Sequence, residues 1–151
     1  MKKSKELFIY SIVILFVALC DLVRVIIQLC TIDFNMFANE EALLETVGKT
    51  ILIIAFIISF ISIIIGFYLG VKGIAESKKT SGSRLHIVIG KIVAILNVIL
   101  AISLAITLFD SKNLVDDIFS FIIALTDVII MFSYVSTAKA VRNGKKIIIN
   151  G

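Results

Sequence analysis

Four long apolar runs fill most of the chain, and short polar segments separate them. Each run extends over about 20 to 25 residues, whereas a strand of a soluble protein has roughly 4 to 8. About 20 apolar residues in a helix, at ~1.5 Å per residue, cross a hydrocarbon core of roughly 30 Å. The runs also lack the strict alternation of a membrane β-barrel. The pattern predicts an all-α fold, an integral membrane bundle of four transmembrane helices.

We expect a single domain over residues 1–151. Its spans are predicted at about 7–30, 51–71, 85–109 and 118–138. The second and third spans would form a central helical hairpin around a basic loop. The second helix is expected to begin outside the bilayer near Glu40, behind an N-cap at Asn39, and to continue to about Glu76. Asn143 and Gly144 predict a stop or turn in the last helix.

The first apolar stretch is also similar to the hydrophobic region of a cleaved signal peptide. Residues 7–19 have a suitable length, but no A-x-A-like cleavage site follows, and apolar residues resume after Arg24. Leu19 stands before Cys20, at the place where a lipoprotein signal needs a small residue. The sequence therefore favours a first helix that is retained in the protein.

Basic residues predict the orientation of the spans. Of the 15 Lys and Arg, 3 lie in the N-terminal flank, 4 in residues 72–84 and 4 in residues 139–151, which makes 11. The other two connecting segments contain only Lys49 and Lys112. Because Lys and Arg in short flanks stay on the cytoplasmic side, both termini and the middle loop are predicted to be cytoplasmic. The spans would then run up-down-up-down across the cell membrane.

The composition agrees with a membrane protein and gives no sign of a catalyst. Hydrophobic residues make up 60% of the chain, and the mean hydropathy is +1.11, whereas soluble domains are roughly half apolar. Topology accounts for the net charge of +4, so we expect membrane lipid and not nucleic acid as a partner. No nucleophile–base pair, metal cluster or phosphate-binding loop is visible in the sequence. We therefore expect no enzyme, no cofactor and no metal site.

Small residues recur every three or four positions in the second and third spans, which places them on one face of each helix. In the second span they are Ala55, Ser59, Ser62, Gly66, Gly70 and Gly73, and in the third His86, Gly90, Ala94, Asn97, Ala101 and Ala105 share a face. Such stripes let membrane helices approach closely. They indicate a helix-packing face, used either within the bundle or to dock a partner protein or a second copy.

Strongly polar residues inside the spans form the main candidate site. Asp21, Arg24 and Gln28 lie at i, i+3 and i+7, so they share one side of the first helix. Counted at ~1.5 Å per residue, Asp21, Asn97 and Asp127 reach similar depths in the membrane. Together the five residues predict an intramembrane polar layer with two carboxylates and one guanidinium.

Two interpretations of this polar layer stay open. In a structural one, Asp21 pairs with Arg24, Asn97 bonds across helices, and Asp127 is protonated or bonded to a hydroxyl. In a functional one, the surplus carboxylate binds a proton or cation, or these residues pair with charges of another membrane protein. A charge at the bilayer centre costs ~3 kcal/mol on insertion scales, so such residues usually face the interior and often mark function.

The sequence also predicts the surroundings of the cysteines, of two residues in the third helix and of the C-terminal tail. Cys20 and Cys30 lie ten residues apart in one helix, ~15 Å along its axis, so they are expected to be buried free thiols and not a disulfide. Near the cytoplasmic interface, we expect Lys91 to extend its amine to the membrane surface and His86 to occupy a hydrated loop end. The apolar triplet 147–149 could lie on the bilayer or against a partner.

The segment IIIGFYLGVKGIAESKK, followed by LHIVIGKIVAI, resembles small four-span bacterial membrane proteins of unknown function that have a Gly-rich hairpin around a short basic loop. The resemblance covers about 35 residues. It implies a bacterial multi-pass membrane protein and assigns no chemistry.

Two functional hypotheses follow from these features. The first is a small membrane interaction protein, an accessory or immunity-type subunit that binds a membrane partner through its small-residue face and polar layer. The alternative is an oligomeric proton- or cation-coupled transporter or channel component that uses Asp21 and Asp127.

Overall fold

The computed structural model describes residues 2–31, 42–78, 84–107 and 114–149. In these ranges the chain forms four helices, which are α1 Lys2–Thr31, α2 Ala42–Ser77, α3 Leu85–Thr107 and α4 Leu114–Ile149. Each contains a segment long and apolar enough to cross a membrane. The predicted all-α bundle of four helices is confirmed, and it fits a multi-pass membrane protein. The Ile-rich runs are helical because lipid requires a segment to satisfy its own backbone hydrogen bonds.

Two helices extend further than their apolar runs. α2 passes through Gly48 without a break, as the expected continuation toward Glu76 requires. The predicted stop at Asn143 and Gly144 is wrong, because α4 continues through both. A glycine in a helix costs only about 1 kcal/mol relative to alanine, and a Cβ at Gly144 would meet nothing within 4 Å. No neighbour therefore forces the described chain to turn there.

Some expectations lie outside the described residues. The proposed N-cap at Asn39, the start near Glu40 and residues 108–109 of the third span belong to this group. The backbone of the triplet 147–149 is helical, but its side chains lie outside the described set.

The helices pack as two hairpins, α1 with α2 and α3 with α4. A third interface joins α1 to α4, whereas α2 and α3 make fewer contacts with each other. The pair that the sequence presents as the central hairpin is therefore not the most closely packed one. Side chains that lie far apart in the sequence meet mainly through α1 and α4.

Glycines explain the close approach of α1 and α2. A Cβ at Gly66 would lie 3.0 Å from the Cβ of Ala18, and one at Gly70 would meet Ser11 O at 3.0 Å. At the end of the same interface, the Ser4 hydroxyl donates to the carbonyl of Ser77. A larger residue on this stripe of α2 would push α1 away.

Packing is much tighter at one end of the bundle than at the other. We call the end where α1 and α3 begin and α2 and α4 finish the basic end, and the opposite one the acidic end. The buried apolar core includes Leu7, Ile14, Leu69, Ile87, Ala94, Met131, Tyr134, Val135 and Ala138. In the third of each helix nearest the acidic end, the buried residues among those described are Val25, Ala101 and Ala124. The bundle is thus closed at the basic end and loosely packed toward the acidic end.

Candidate intramembrane cation site

Three of the five predicted polar-layer residues line one cavity near the middle of the bundle. Asp21 of α1, Asn97 of α3 and Asp127 of α4 all face this cavity, whose volume is about 300 Å³. Ser62 of α2 adds a hydroxyl, so every helix contributes a polar side chain. The remaining lining is largely Ile, Val, Leu and Met. The cavity is therefore a small group of polar side chains among apolar ones.

The helical repeat explains why these side chains line the cavity. Asp21, Asn97 and Asp127 are each preceded by a buried residue three positions earlier and followed by another four positions later, so they lie on the core side of their helix. The buried pairs are Ala18 and Val25 in α1, Ala94 and Ala101 in α3, and Ala124 and Met131 in α4. Small flanking residues leave the space that the cavity occupies.

Arg24 and Gln28 do not join this layer. Both are exposed, and neither is among the described residues that line the cavity. Three residues of a helix turn through about 300°, so Arg24 lies about 60° around α1 from Asp21 and closer to the acidic end. Among the described residues, no ion pair joins Asp21 to Arg24. The described cavity lining thus has two carboxylates and no basic side chain.

This arrangement suits a proton or a small hard cation. Two carboxylates that face one apolar cavity repel each other when both are charged, and a bound cation relieves that repulsion. Carboxylate, amide and hydroxyl oxygens are the ligands that hard cations prefer. A water molecule takes up about 30 Å³ in the liquid, so the cavity could hold an ion with several waters. Among the described residues, no three His, Cys, Asp or Glu side chains group as a metal site, either at this cavity or elsewhere.

The cavity is closed on one side and more open on the other. Leu69 and Met131 line it toward the basic end and are themselves part of the buried core. Asp127 is half-buried and Asp21 is exposed. Few described residues are buried beyond this level, so the bundle is more open toward the acidic end. Several lining residues, among them isoleucines of α2, are exposed as well, so the cavity is also open to the side.

A second polar cluster lies at the basic end, and sequence reasoning missed most of it. His86 is 0% exposed and Glu76 is 1% exposed. The ring of Tyr134 stands edge-on to His86, with 6.3 Å between the ring centres. The Tyr134 hydroxyl donates to the carbonyl of Leu69 at 2.9 Å and so ties α4 to α2 across the core.

The expected hydrated loop-end position of His86 is therefore wrong. α3 begins at Leu85 and its first turn already packs against α4, which leaves His86 no contact with water. The spacing could have shown this, because His86 precedes the buried Gly90 and Ala94 by four and eight residues. Glu76 likewise follows the buried Gly73 by three positions.

Most of the predicted helix-packing face is used inside the chain. Gly66, Gly70 and Gly73 pack against α1, and a Cβ at Gly90 would lie 3.0 Å from Val135 of α4. Ala94 and Ala101 are buried. Ser62 lines the cavity, and Ser59 donates to the carbonyl of Ala55 in its own helix at 2.9 Å.

The cysteines are free, as expected, but the expectation that they are buried is wrong. Cys20 and Cys30 are both exposed on α1. Neither belongs to the cavity lining.

Comparison with protein-family models, with curated proteins and with solved structures finds no significant match to this chain. The resemblance to small four-span bacterial proteins stays a prediction from the sequence.

Proposed function

We propose that the protein is a proton- or cation-coupled transporter or channel component of the bacterial cell membrane, in which Asp21 and Asp127 bind the ion. One observation carries the proposal: two carboxylates from different hairpins line the same cavity, and the described lining contains no basic side chain. Intramembrane carboxylates are costly and usually functional.

The two hairpins offer a simple way to couple binding to movement. Asp21 belongs to the α1–α2 hairpin and Asp127 to the α3–α4 hairpin, so a shift of one hairpin against the other changes the distance between the carboxylates. An ion held by both carboxylates favours the arrangement in which they are close, and its release favours the other. With both termini cytoplasmic, the more open side of the cavity would face the outside of the cell.

The accessory or immunity-type hypothesis has less support. It relied on a small-residue face that a partner could contact, and the glycines of that face are occupied by α1 and α4. A partner would have to use the lipid-facing Ile and Phe side chains instead.

The test is ion flux into liposomes that contain the purified full-length chain. We expect flux of protons, sodium or potassium above that of protein-free liposomes, and we expect Asp127→Asn to return it to that baseline. Asp21→Asn should lower it as well, because both carboxylates face the cavity. Arg24→Gln should leave it unchanged, because Arg24 lies outside the cavity.

The matched control is Asp117→Asn. It makes the same chemical change on the same helix, ten residues away and outside the cavity lining, so flux should persist. Helical content and elution from a sizing column should be equal for all variants. Flux of none of the three ions, or equal flux for Asp127→Asn and wild type, would refute the proposal. Loss of a co-purifying protein on Asp127→Asn, without any flux, would instead support the partner hypothesis.

A further inference from the structure

A second cavity lies at the basic end, between the start of α3 and the last turns of α4. Its volume is about 240 Å³, and four basic side chains line it. Arg84 and Lys91 approach it from the α3 side, and Lys139 and Arg142 approach it from α4. The other described lining residues carry no negative charge. The cavity is thus a strongly positive pocket, which we call the basic pocket.

The local structure holds these charges together. Arg84 and Lys91 are seven residues apart, two helical turns, and Lys139 and Arg142 are three apart, so each pair lies on one side of its helix. The carbonyl of Arg84 accepts a hydrogen bond from the backbone N–H of Ile87 at 3.1 Å, so α3 begins beside the pocket. The N-terminal end of α3 adds its own partial positive charge there. Four basic side chains that line one pocket favour an anion between them.

An apolar groove continues from the basic pocket along the lipid-facing side of α3 and α4. Its volume is about 570 Å³, and it shares Lys91, Lys139 and Asn143 with the pocket. The rest of its lining is Ala94, Ile95, Phe132, Val135, Ser136 and Ala140. From Asn143 to Phe132 the groove extends ~16 Å along α4, at 1.5 Å per residue. It therefore runs parallel to the lipid chains.

We propose that an anionic glycerophospholipid binds here, with its phosphate in the basic pocket and one acyl chain in the groove. Positive charge and apolar surface meet at Lys91 and Lys139, as the headgroup and chain of a lipid meet at the glycerol. Basic pockets between membrane helices on the cytoplasmic side are known to bind anionic headgroups. This lipid would fix α3 against α4 and so support the hairpin that carries Asp127.

The continuous groove is what selects a lipid over a soluble anion. A free phosphate could use only the basic pocket and would leave the groove to whichever lipid happens to be nearby. A phospholipid that fills both gains apolar contacts along α4 as well as charge neutralisation. The inference is independent of transport through the Asp21–Asp127 cavity, because none of its residues lines the basic pocket.

The experiment is native mass spectrometry of the delipidated full-length chain in detergent, with phosphatidylglycerol or phosphatidylcholine of identical acyl chains added. We expect one phosphatidylglycerol to be retained in preference to phosphatidylcholine. Lys91→Gln with Lys139→Gln removes two of the four charges and should weaken this retention about 30-fold. Lys2→Gln with Lys5→Gln changes the net charge equally at the same end of the bundle, on α1, and should leave it unchanged.

Two further measurements separate a lipid from a simple anion. Ser136→Leu should fill the groove and weaken retention of phosphatidylglycerol, because Ser136 is exposed in the groove and lies outside the basic pocket. Excess inorganic phosphate should displace little of the lipid. Equal retention of the two lipids, or equal loss in the α1 control, would overturn the proposal. Complete displacement by inorganic phosphate, together with no effect of Ser136→Leu, would overturn it in favour of a soluble-anion site. Circular dichroism should show unchanged helix content in every variant.

Discussion

Replacing Gly73 by alanine tests the tightest point of the bundle, where α1, α2 and α4 meet. A Cβ at this position would lie 2.6 Å from the Tyr134 ring and 3.1 Å from the Cβ of Ser11, and it would overlap the Ser11 hydroxyl. The hydroxyl can rotate away only by breaking its hydrogen bond to the carbonyl of Leu7. The ring has no such freedom, because Tyr134 is fully buried and its hydroxyl is bonded to Leu69. We therefore expect the helices themselves to move apart.

The magnitude follows from two opposing terms. Overpacking a close-packed interior costs about 1 to 3 kcal/mol, while glycine to alanine in a helix gains up to about 1 kcal/mol. Gly144→Ala supplies the second term alone, because Gly144 is helical and a Cβ there would meet nothing within 4 Å. The difference between the two variants should thus be about 1 to 3 kcal/mol, or roughly 5- to 150-fold in the ratio of folded to unfolded protein.

The assay is reversible unfolding in mixed micelles, followed by circular dichroism, for both glycine variants side by side. Gly66→Ala should fall between them, because its Cβ would reach 3.0 Å from Ala18 without overlap. Ser11→Ala added to Gly73→Ala should recover part of the loss, since it removes the overlapping hydroxyl. If Gly73→Ala unfolds at the same denaturant concentration as Gly144→Ala, the three helices do not meet as described.

Two more predictions concern the core and the orientation. Tyr134→Phe removes the hydrogen bond to Leu69, so the free energy of unfolding of this variant should be about 0.6 to 1 kcal/mol lower than that of the wild type. An unchanged value in the same micelle assay would contradict a stabilising role for this hydrogen bond. Reporter tags inserted at Asn39 and Lys112 should be external and a tag at Lys79 cytoplasmic, because the basic flanks stay inside, and a reversed pattern would refute the proposed orientation.

The depth of the polar residues was predictable, but the identity of their neighbours was only partly so. A rise of ~1.5 Å per residue brings Asp21, Asn97 and Asp127 to one level from the sequence alone. The small residues that flank them predict that this side of each helix faces the other helices. Arg24 shares the general side of α1 with Asp21, yet a rotation of about 60° is enough to take it out of the cavity. Spacing of three residues is too coarse to decide which polar side chains meet.

The small-residue stripe shows the same limit. The stripe of Gly66, Gly70 and Gly73 predicts that another helix approaches α2 closely. In the structure this helix is α1. Nothing in the stripe distinguishes α1 from α3, since glycine marks an approach and carries no side chain that identifies what approaches. His86 shows a different limit, because its position near a loop predicts hydration, whereas its spacing of four residues from the buried Gly90 predicts burial.

The division of the bundle into two hairpins has a consequence for its biogenesis. A chain released into the bilayer two helices at a time would present Asp21 to lipid with the first hairpin, and Asn97 and Asp127 only with the second. Until the hairpins meet, each carboxylate remains among acyl chains at a cost of ~3 kcal/mol on insertion scales. That cost favours docking of the later hairpin onto the earlier one. The residues proposed to bind the ion would then also direct the last step of assembly.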